Sequence, residues 1–310
     1  MTRHELETTA ATAIDVFTAA REPVLSVERG DTVTVRTLDC RGYLERQHSP
    51  GEDRPVLIEG NRGHCLVGPI AVTGAEPGDV LTVRLDRLEP HAWGFTAAGR
   101  GHTPLDERLG IREETALLWE LDPVASVGRN QFGLGVALGP FLGVIGVPPE
   151  PTGEFSTIPP RAVGGGNIDC RELVAGSTLF LPVTVPGASL FVGDGHAAQG
   201  DGEVSGTAIE CGMTTTMTLD IARSPALDTI HAVTPAGRIT FGFDADLNEA
   251  TAAALDAMLT WMEQLFGLSR SDTVALASVS VSMRVTQVAN RTWGVHALLP
   301  HDAVLPAPPA

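Results

Sequence analysis

The densest cluster of polar residues in the sequence lies at positions 193–203, directly after an apolar stretch. Asp194 and His196 stand two residues apart, so their side chains share one face if the backbone there is extended. Asp201 and Glu203 repeat this spacing, and four glycines in the segment allow sharp reversals of the chain. Three carboxylates beside one imidazole are typical of a divalent metal site with nitrogen and oxygen ligands, such as zinc. A solvated glycine-rich turn is the alternative, but so many polar groups after a buried strand favour a site.

A second glycine-rich segment, 164–169, places Asn167 and Asp169 two residues apart. It lacks the GxGxxG spacing and the GK[ST] ending of phosphate-binding loops. We therefore expect a bend that delivers both side chains to the same site, with a β-turn capped by an Asx side chain as the open alternative. Asp39, at the end of a predicted strand, and His64, before another, are further candidates, although each alone is more typical of a structural position.

The predicted site needs a rigid framework, and the composition indicates β-strands. The 310 residues include 34 glycines and 22 prolines without collagen periodicity, which is typical of many tight turns between short strands. Segments 27–31 and 75–79 each place a Gly-Asp pair before an alternating apolar run, and we interpret both as hairpin turns. We predict a mainly β fold of sandwich or barrel architecture. Residues 1–150 are expected to form an N-terminal β domain, and residues 151–310 a site-bearing β region with a C-terminal helix and strands.

The clearest helix follows residue 246. Asp246 or Asn248 can cap its start, and Gly267 suits its C-terminal cap. Segment 244–248 also resembles the start of a calcium loop, but Glu249 stands where that loop needs glycine, so the helix cap is favoured. The apolar residues at helical spacing predict one buried stripe: Leu255, Met258, Leu259, Met262, Leu265 and Phe266.

Weaker patterns complete the expected secondary structure. We predict a short helix near residues 113–120, another helix after Ser271, and strands at 279–288 and 295–299. Together with the long helix, the last elements predict a small C-terminal α/β portion. The tail 306–310 is expected to be loose.

The charge and the cysteines exclude several classes of partner and site. A net charge of −17 repels nucleic acid and anionic membranes, so neither is an expected partner. The four cysteines lie far apart without a CxxC pair, which argues against a structural zinc knuckle. The sequence contains no signal-peptide pattern and no apolar run of about 18 residues. We expect a cytoplasmic protein with reduced thiols.

Several motifs together resemble the acetamidase/formamidase family. The resemblance extends from about Pro23 to Pro300, nearly the whole chain, and the central run is long and unusual in composition. The motifs that carry it are Gly-Ala-Glu-Pro-Gly-Asp-Val-Leu at 74–81, Gly-Asn-Ile-Asp at 166–169, Gly-Asp-Gly-His-Ala-Ala-Gln-Gly-Asp-Gly-Glu at 193–203, Gly-Thr-Ala-Ile-Glu at 206–210 and Gly-Val-His-Ala at 294–297.

The resemblance implies hydrolysis of short-chain carboxamides to carboxylate and ammonia by a metal-activated water. It also implies a β-rich fold with a small C-terminal α/β part, a divalent metal that is zinc with calcium as a possible companion, and a homodimer or higher homo-oligomer. By the same resemblance, the metal ligands are Asp169, Asp194 and His196, with Asp39 and His64 as weaker ones, and the proton-transfer groups are Glu203 and Glu210. We also predict that Asn167 and Gln199 bind the substrate.

Other amide-hydrolysing chemistries fit the sequence poorly. Ser-Ser-Lys and Glu-Lys-Cys sites need a lysine, and this chain has none. The GxSxG and HExxH motifs are also absent. Cys170 and Cys211, which flank the predicted site, remain open as nucleophiles, although buried inert thiols are commoner. Ser282 stands where similar proteins are expected to have aspartate, and the chain lacks a long insertion associated with dedicated formamidases, which favours the acetamidase-like branch.

Two alternatives from other classes stay open. Acidic loops on a β scaffold also suit a non-catalytic, calcium-stabilised β-sandwich that binds a partner, but His196 does not suit a calcium site of hard oxygen ligands. A cupin-like iron oxygenase would normally show an HxH pair, which the sequence lacks. Trp93 and Phe95 are candidates for the wall of a small substrate pocket, although core positions are commoner for aromatic residues.

Overall fold

The computed structural model describes residues 1–99 and 103–305. The expectation of a loose tail at 306–310 therefore concerns residues outside the described range. The helices of the described part are α1 (Asp106–Leu109), α2 (Leu247–Phe266) and α3 (Arg270–Ser280). None of them combines the length and the apolar character needed to cross a membrane.

Strands make up most of the regular structure. Those of the first half are β1 (Arg3–Glu7), β2 (Ala13–Ile14), β3 (Val16–Thr18), β4 (Leu25–Val27), β5 (Asp31–Thr37), β6 (Leu66–Val72), β7 (Val80–Ala98), β8 (Thr115–Asp122), β9 (Val127–Asn130), β10 (Gly135–Ala137) and β11 (Phe141–Gly146). Those of the second half are β12 (Glu154–Ser156), β13 (Gly165–Asn167), β14 (Thr178–Pro182), β15 (Leu190–His196), β16 (Glu210–Ala222), β17 (His231–Thr234), β18 (Gly237–Asp244), β19 (Ser282–Gln287) and β20 (Trp293–Pro300).

The long strand β16 lies between β5 and β7 and pairs antiparallel with both. Its inward residues Met213, Met217 and Leu219 are fully buried and alternate with threonines. Thr216 and Thr218 form cross-strand hydroxyl contacts with threonines of β5, at 3.1 and 3.3 Å. This alternation is typical of a half-buried antiparallel strand, since one face packs on the core and the other carries polar groups.

A second group of strands, β6, β11, β13 and β15, is buried on both faces. β15 pairs with β6 on one side and β11 on the other, and β11 also pairs with β13. Every residue of β11 and β15 is buried, which explains why β11 is a continuous run of apolar and glycine residues rather than an alternating one. The predicted mainly β fold is confirmed. The division at residue 150 stays a prediction, and β16 pairs with strands that precede that point.

The C-terminal α/β portion is also confirmed. Helix α2 packs on β18 and β20 through its small residues Ala250 and Ala254, and a Cβ atom on Gly242 would lie 2.0 Å from the Ala250 carbonyl oxygen. The Asp246 side chain accepts the Asn248 N–H and so caps the helix, while Gly267 ends it with a φ of 65°. The predicted stripe is only partly correct, since Leu265 and Phe266 are exposed.

The two Gly-Asp turns share one geometry but do not form hairpins. The Asp31 N–H donates to the Glu28 carbonyl oxygen and the Asp79 N–H to the Glu76 carbonyl oxygen, each at 3.0 Å. Each aspartate also accepts the N–H of its glutamate. The hairpin prediction is nevertheless wrong, because β5 pairs with β1 and β16, whereas β7 pairs with β8, β14 and β16. Turn chemistry sets the local reversal but not the partner strand.

Two local predictions fail because tertiary contacts decide them. The segment predicted as a helix at 113–120 forms β8 instead, in which Thr115 pairs with Ala98 and Glu120 with Trp93 of β7. Pairing with a neighbouring strand overrides the weak helical pattern. The strand predicted from residue 279 begins at Ser282, since Val279 lies within α3 and is exposed.

Candidate functional site

The site lies where β15 meets β16, and the strand register brings its first residues together. His196 is paired directly with Glu210 across these strands. Asp194 shares the face of His196, as their spacing predicts, and its Oδ2 lies 3.3 Å from His196 Nε2. Glu210 Oε1 lies at the same distance from that nitrogen. The three side chains come from segments whose backbone is fixed on both sides, so the cluster is rigid.

Asp169 and Glu203 approach from two loops and complete the cluster. Ligand atoms of Asp169, His196 and Glu203 all lie within 4.8 Å of one another, and those of Asp194 and Glu210 group in the same way with Cys40. The structure therefore brings together the four predicted carboxylates and the predicted imidazole. Cys40 was missed because nothing in its spacing marks it as different from the other cysteines.

Gly143, in the middle of β11, creates the space for this cluster. A Cβ atom at this position would lie 2.4 Å from Asp194 Oδ2, 2.7 Å from His196 Cε1 and 2.8 Å from Asp169 Oδ1. Its carbonyl oxygen also accepts the N–H groups of Ile168 and Asp169. No sequence pattern marks this residue as part of a site, because it is one of several glycines in an apolar run.

Three of the acids have an unusual backbone conformation. Asp169, Asp194 and Glu203 have φ values of 53°, 59° and 43°. The left-handed region costs a residue with a side chain roughly 1–2 kcal/mol, so it persists only where surrounding contacts enforce it. Such strain is concentrated at functional sites, and here it turns neighbouring carboxylates into one space. Asp201 does not share a face with Glu203, contrary to the prediction. Its carboxylate instead lies 3.6 Å from Arg284.

Gln199 fixes the tautomer that the neutral imidazole of His196 adopts. Its Nε2 donates to the Asp169 carbonyl oxygen at 2.7 Å, and a carbonyl oxygen can only accept. Gln199 Oε1 must therefore be the atom that faces His196 Nδ1, at 2.9 Å, and it accepts the Nδ1–H. The neutral ring then carries its lone pair on Nε2, the atom that faces the carboxylates.

Burial and mutual repulsion dominate the electrostatics of the cluster. Burial raises the pKa of Asp169 and of Glu203 well above the usual range, and their carboxylate neighbours add to the rise. Burial likewise raises the pKa of Glu210, with Asp194 adding to it. Burial alone would lower the pKa of His196, but Glu210 and Asp194 outweigh it and hold that pKa well above its ordinary value. Burial opposes ionisation of Asp194 too, yet His196 and His64 keep its pKa low.

The donor atoms of the cluster fit a divalent cation. Both Asp169 carboxylate oxygens, His196 Nε2 and Glu210 Oε2 are buried without a hydrogen-bond partner among the described residues. Buried carboxylates without partners are costly, and a bound cation removes this cost. An imidazole nitrogen together with carboxylate oxygens suits zinc better than calcium, which prefers oxygen ligands alone.

A cavity of about 1380 Å³ leads to this cluster. Its lining includes His64, Asn167, Asp194, Glu203 and Glu210. His64 Nε2 lies 3.9 Å from Asp194 Oδ2, and Thr157 Oγ1 contacts both the backbone N–H and Nδ1 of His64. Small molecules that enter this cavity can therefore reach the carboxylates.

The remaining candidates take other positions. Asp39 is buried and does not belong to the described lining of the cavity. Its Oδ1 accepts the N–H groups of Arg41 and Tyr43, and its Oδ2 has no hydrogen-bond partner among the described residues. Burial, with Glu210 nearby, raises its pKa to about 6. Phe95 lines an adjoining cavity of about 860 Å³, whose described lining does not include Trp93.

The nucleophile alternative for Cys170 and Cys211 is wrong. Both thiols are fully buried, and neither belongs to the described lining of the cavity. Burial raises the pKa of Cys170 well above its usual range, and burial together with Glu210 also raises that of Cys211. A thiol without access to the cavity cannot attack a substrate bound there.

The fold and the cluster define a mainly antiparallel β protein with a buried carboxylate–imidazole centre at the end of a cavity. The chain belongs to the acetamidase/formamidase family, whose sequence model matches residues 17–156 and 152–303. A formamidase of Methylophilus methylotrophus is 27% identical over 236 residues, which cover 59% of this chain and 57% of that protein. The chain thus spans a little over half the length of the curated relatives that it matches.

Solved structures match over nearly the whole chain. An acetamidase of Bacillus halodurans superposes with a TM-score of 0.85 and 27% identity, covering 96% of this chain and 97% of that one. An acetamidase of Yersinia enterocolitica gives 0.85 and 28%, covering 98% and 94%.

Proposed function

We propose that the protein hydrolyses short-chain carboxamides to carboxylate and ammonia at the buried cluster. The observation that carries this proposal is the convergence of unpartnered donor atoms from Asp169, His196 and Glu210 at the end of a cavity. The family membership supports the same reaction class, and the formamidase and acetamidases that the chain resembles are named for such amides. Metal dependence and the choice of substrate are part of the proposal.

Asp169, Asp194, His196 and Glu210 would hold the metal, with zinc as the first candidate and calcium as a second ion. A divalent metal bound there supplies positive charge that polarises the amide carbonyl and lowers the pKa of a coordinated water. Gln199 contributes by holding the His196 ring with Nε2 directed at the carboxylates. Because both ends of its amide are engaged, we assign Gln199 to positioning of His196 rather than to substrate binding.

Glu203 is the best-placed group for proton transfer. It lines the cavity, is almost fully buried and lies within reach of Asp169 and His196. A carboxyl group in such surroundings can take a proton from water and deliver it to the leaving nitrogen. Glu210 has less freedom, because its Oε1 already accepts the Ala208 N–H at 2.8 Å, and so we place it with the ligands.

Asn167 is the proposed contact for the substrate amide. It ends β13, lines the cavity, and its Oδ1 has no hydrogen-bond partner among the described residues. A carboxamide N–H would satisfy this oxygen, whereas an ester would not. His64 also lines this cavity, and we propose it as a weaker metal ligand or as a second group for proton transfer. This arrangement selects for amides without restricting the acyl chain.

We further propose a cytoplasmic location and a homodimer or higher homo-oligomer. The four cysteines are unpaired and buried, which suits a reducing compartment. Phe132, Leu134 and Val136, at the turn and strand that follow β9, are exposed apolar residues of the kind found at subunit contacts. Sedimentation of the purified protein tests the assembly.

The test is metal analysis combined with an ammonia assay. The protein is purified without added metal, its metal content is measured, and ammonia release from formamide, acetamide and propionamide is assayed before and after chelation. Turnover that is lost on chelation and restored by zinc supports the proposal. Bound calcium without turnover would favour the non-catalytic binding module, and bound iron with oxygen consumption the cupin-like alternative.

The role of Glu203 is tested by Glu203→Gln, with Glu107→Gln as the matched control. Glu107 lines the same cavity but is exposed. We expect the first change to lower kcat by about 10²–10⁴-fold while metal stays bound, and the second to leave kcat unchanged. Full activity of the Glu203 variant would remove this residue from the mechanism.

A further inference from the structure

A second cluster of metal-ligating side chains lies outside the cavity, where Cys170, Glu172 and His296 meet. Cys170 Sγ lies 3.3 Å from Glu172 Oε2, and His296 Nε2 lies 3.3 Å from the same oxygen. Cys170 and His296 are fully buried, and Glu172 is 9% exposed. We propose that these three side chains bind a structural zinc ion, separate from the cluster at the end of the cavity.

The spacing of the three ligand atoms suits tetrahedral zinc. With zinc–nitrogen and zinc–oxygen distances of about 2.0 Å and a zinc–sulfur distance of about 2.3 Å, neighbouring ligand atoms lie roughly 3.3–3.5 Å apart. The distances from Glu172 Oε2 to Cys170 Sγ and to His296 Nε2 are both 3.3 Å, which lies within this range. The combination of thiolate, carboxylate and imidazole is also a set that zinc accepts, whereas calcium and magnesium avoid thiolates.

The imidazole of His296 is directed into the cluster without a partner. Its Nε2 is buried and has no hydrogen bond among the described residues. The other ring nitrogen, Nδ1, forms a hydrogen bond with Thr286 Oγ1 at 2.8 Å, and this contact fixes the orientation of the ring. A buried ring nitrogen without a hydrogen-bond partner destabilises the fold, and a bound cation would remove that cost.

Arg284 balances the charge around this cluster. It donates to the other carboxylate oxygen of Glu172, Oε1, at 2.6 Å, and also lies 3.6 Å from Asp201. Glu172 therefore keeps Oε2 for the metal. A zinc ion with one thiolate, the carboxylates of Glu172 and Asp201 and one guanidinium forms a neutral group, which a buried site requires.

The position of the cluster gives the ion a positioning role. Cys170 directly follows Asp169, and His296 belongs to β20, so the ion would connect the loop of Asp169 to a central strand of the C-terminal portion. The backbone of Gly202 donates to the Thr286 carbonyl oxygen at 3.0 Å, which ties the Glu203 loop to the neighbouring strand β19. The second ion would thus hold the Asp169 loop directly and the Glu203 loop only indirectly, through the pairing of β19 with β20.

The test uses cobalt in place of zinc, because a cobalt–thiolate bond gives a near-ultraviolet charge-transfer band. The full chain is loaded with Co²⁺, and its spectrum and metal content are compared with those of Cys170→Ser and Cys40→Ser. The proposal expects the band in the wild type, its loss in Cys170→Ser together with one metal equivalent, and its retention in Cys40→Ser. No band in the wild type, or a band lost only in Cys40→Ser, would overturn it.

Two further variants separate this proposal from a folding defect of Cys170→Ser and from a failure of the proposed hydrolysis. His296→Gln retains Cys170 and is expected to lose the same metal equivalent, and its retention of that equivalent would contradict the proposal. Asp194→Asn, which alters the first cluster, is expected to keep the thiolate band even if all amide turnover disappears. Loss of the band in this variant would place the thiolate ion in the first cluster and overturn the proposal.

Discussion

His196 lies directly opposite Glu210 across two paired strands, and its Nε2 is 3.3 Å from Glu210 Oε1. The backbone ladder therefore sets the distance between an imidazole and a carboxylate that are 14 positions apart in the chain. Asp194 joins them because it lies two residues before His196 on the same strand. Groups held by strands keep their geometry when loops move, which is the preorganisation that a metal centre needs.

The space around this pair depends on Gly143. Replacing it by alanine would place a methyl group 2.4 Å from Asp194 Oδ2. We expect Gly143→Ala to weaken metal binding by about 10–100-fold and to lower amide turnover accordingly, because the ligands must move apart. Titration with a metal indicator measures the effect. Gly139→Ala is the control, since a Cβ there meets nothing within 4 Å; equal behaviour of the two variants would refute the argument.

The orientation of His196 depends on Gln199. In Gln199→Ala the Nδ1–H of His196 loses its acceptor, and the ring becomes free to rotate or to change tautomer. We expect metal affinity to fall by about 10–100-fold without unfolding of the protein. Gln199→Glu restores an acceptor but places a carboxylate oxygen beside the Asp169 carbonyl oxygen, so it should recover only part of the affinity. Calorimetric metal titration distinguishes these outcomes, and unchanged affinity in both variants would exclude the positioning role.

The stability at acid pH depends on Asp31. This carboxylate accepts the N–H groups of Thr2 and Glu28 and faces His4, and these contacts lower its pKa to about 2. Because the folded-state pKa lies below the unfolded value of 3.8, the stabilisation is present above about pH 4 and is lost as the pH falls towards 2. Urea midpoints of the wild type and Asp31→Asn should therefore differ at pH 6 and converge near pH 2. A difference that is constant with pH would contradict this assignment.

The start of helix α2 depends on its cap. Asp246→Ala removes the acceptor for the Asn248 N–H and is expected to lower the free energy of unfolding by about 1 kcal/mol, with an unchanged denaturant slope. Asp256→Ala is the control, because it removes only an ion pair with Arg270 on the exposed face of the same helix. A larger loss from the control than from the cap variant would show that the cap contributes little.

The sequence alone determined the class of fold and most members of the buried cluster. Alternation of apolar residues predicted strand β5 and the first part of β7, since each has one face on the core. The two-residue spacing of Asp194 and His196 predicted their shared face correctly. Local chemistry also fixed the cap at Asp246 and the geometry of both Gly-Asp turns, because these depend on hydrogen bonds within four residues.

Tertiary structure decided everything that depends on contacts between distant segments. The pairing of His196 with Glu210, the space left by Gly143 and the approach of Asp169 follow from strand register, which no local pattern encodes. Asp201 lies 3.6 Å from Arg284 rather than beside Glu203, although its spacing from Glu203 matches that of Asp194 and His196. The backbone is left-handed at Asp194 as well as at Glu203, so two-residue spacing alone does not decide which side chains meet. Where surrounding contacts impose another conformation, the fold determines which groups meet.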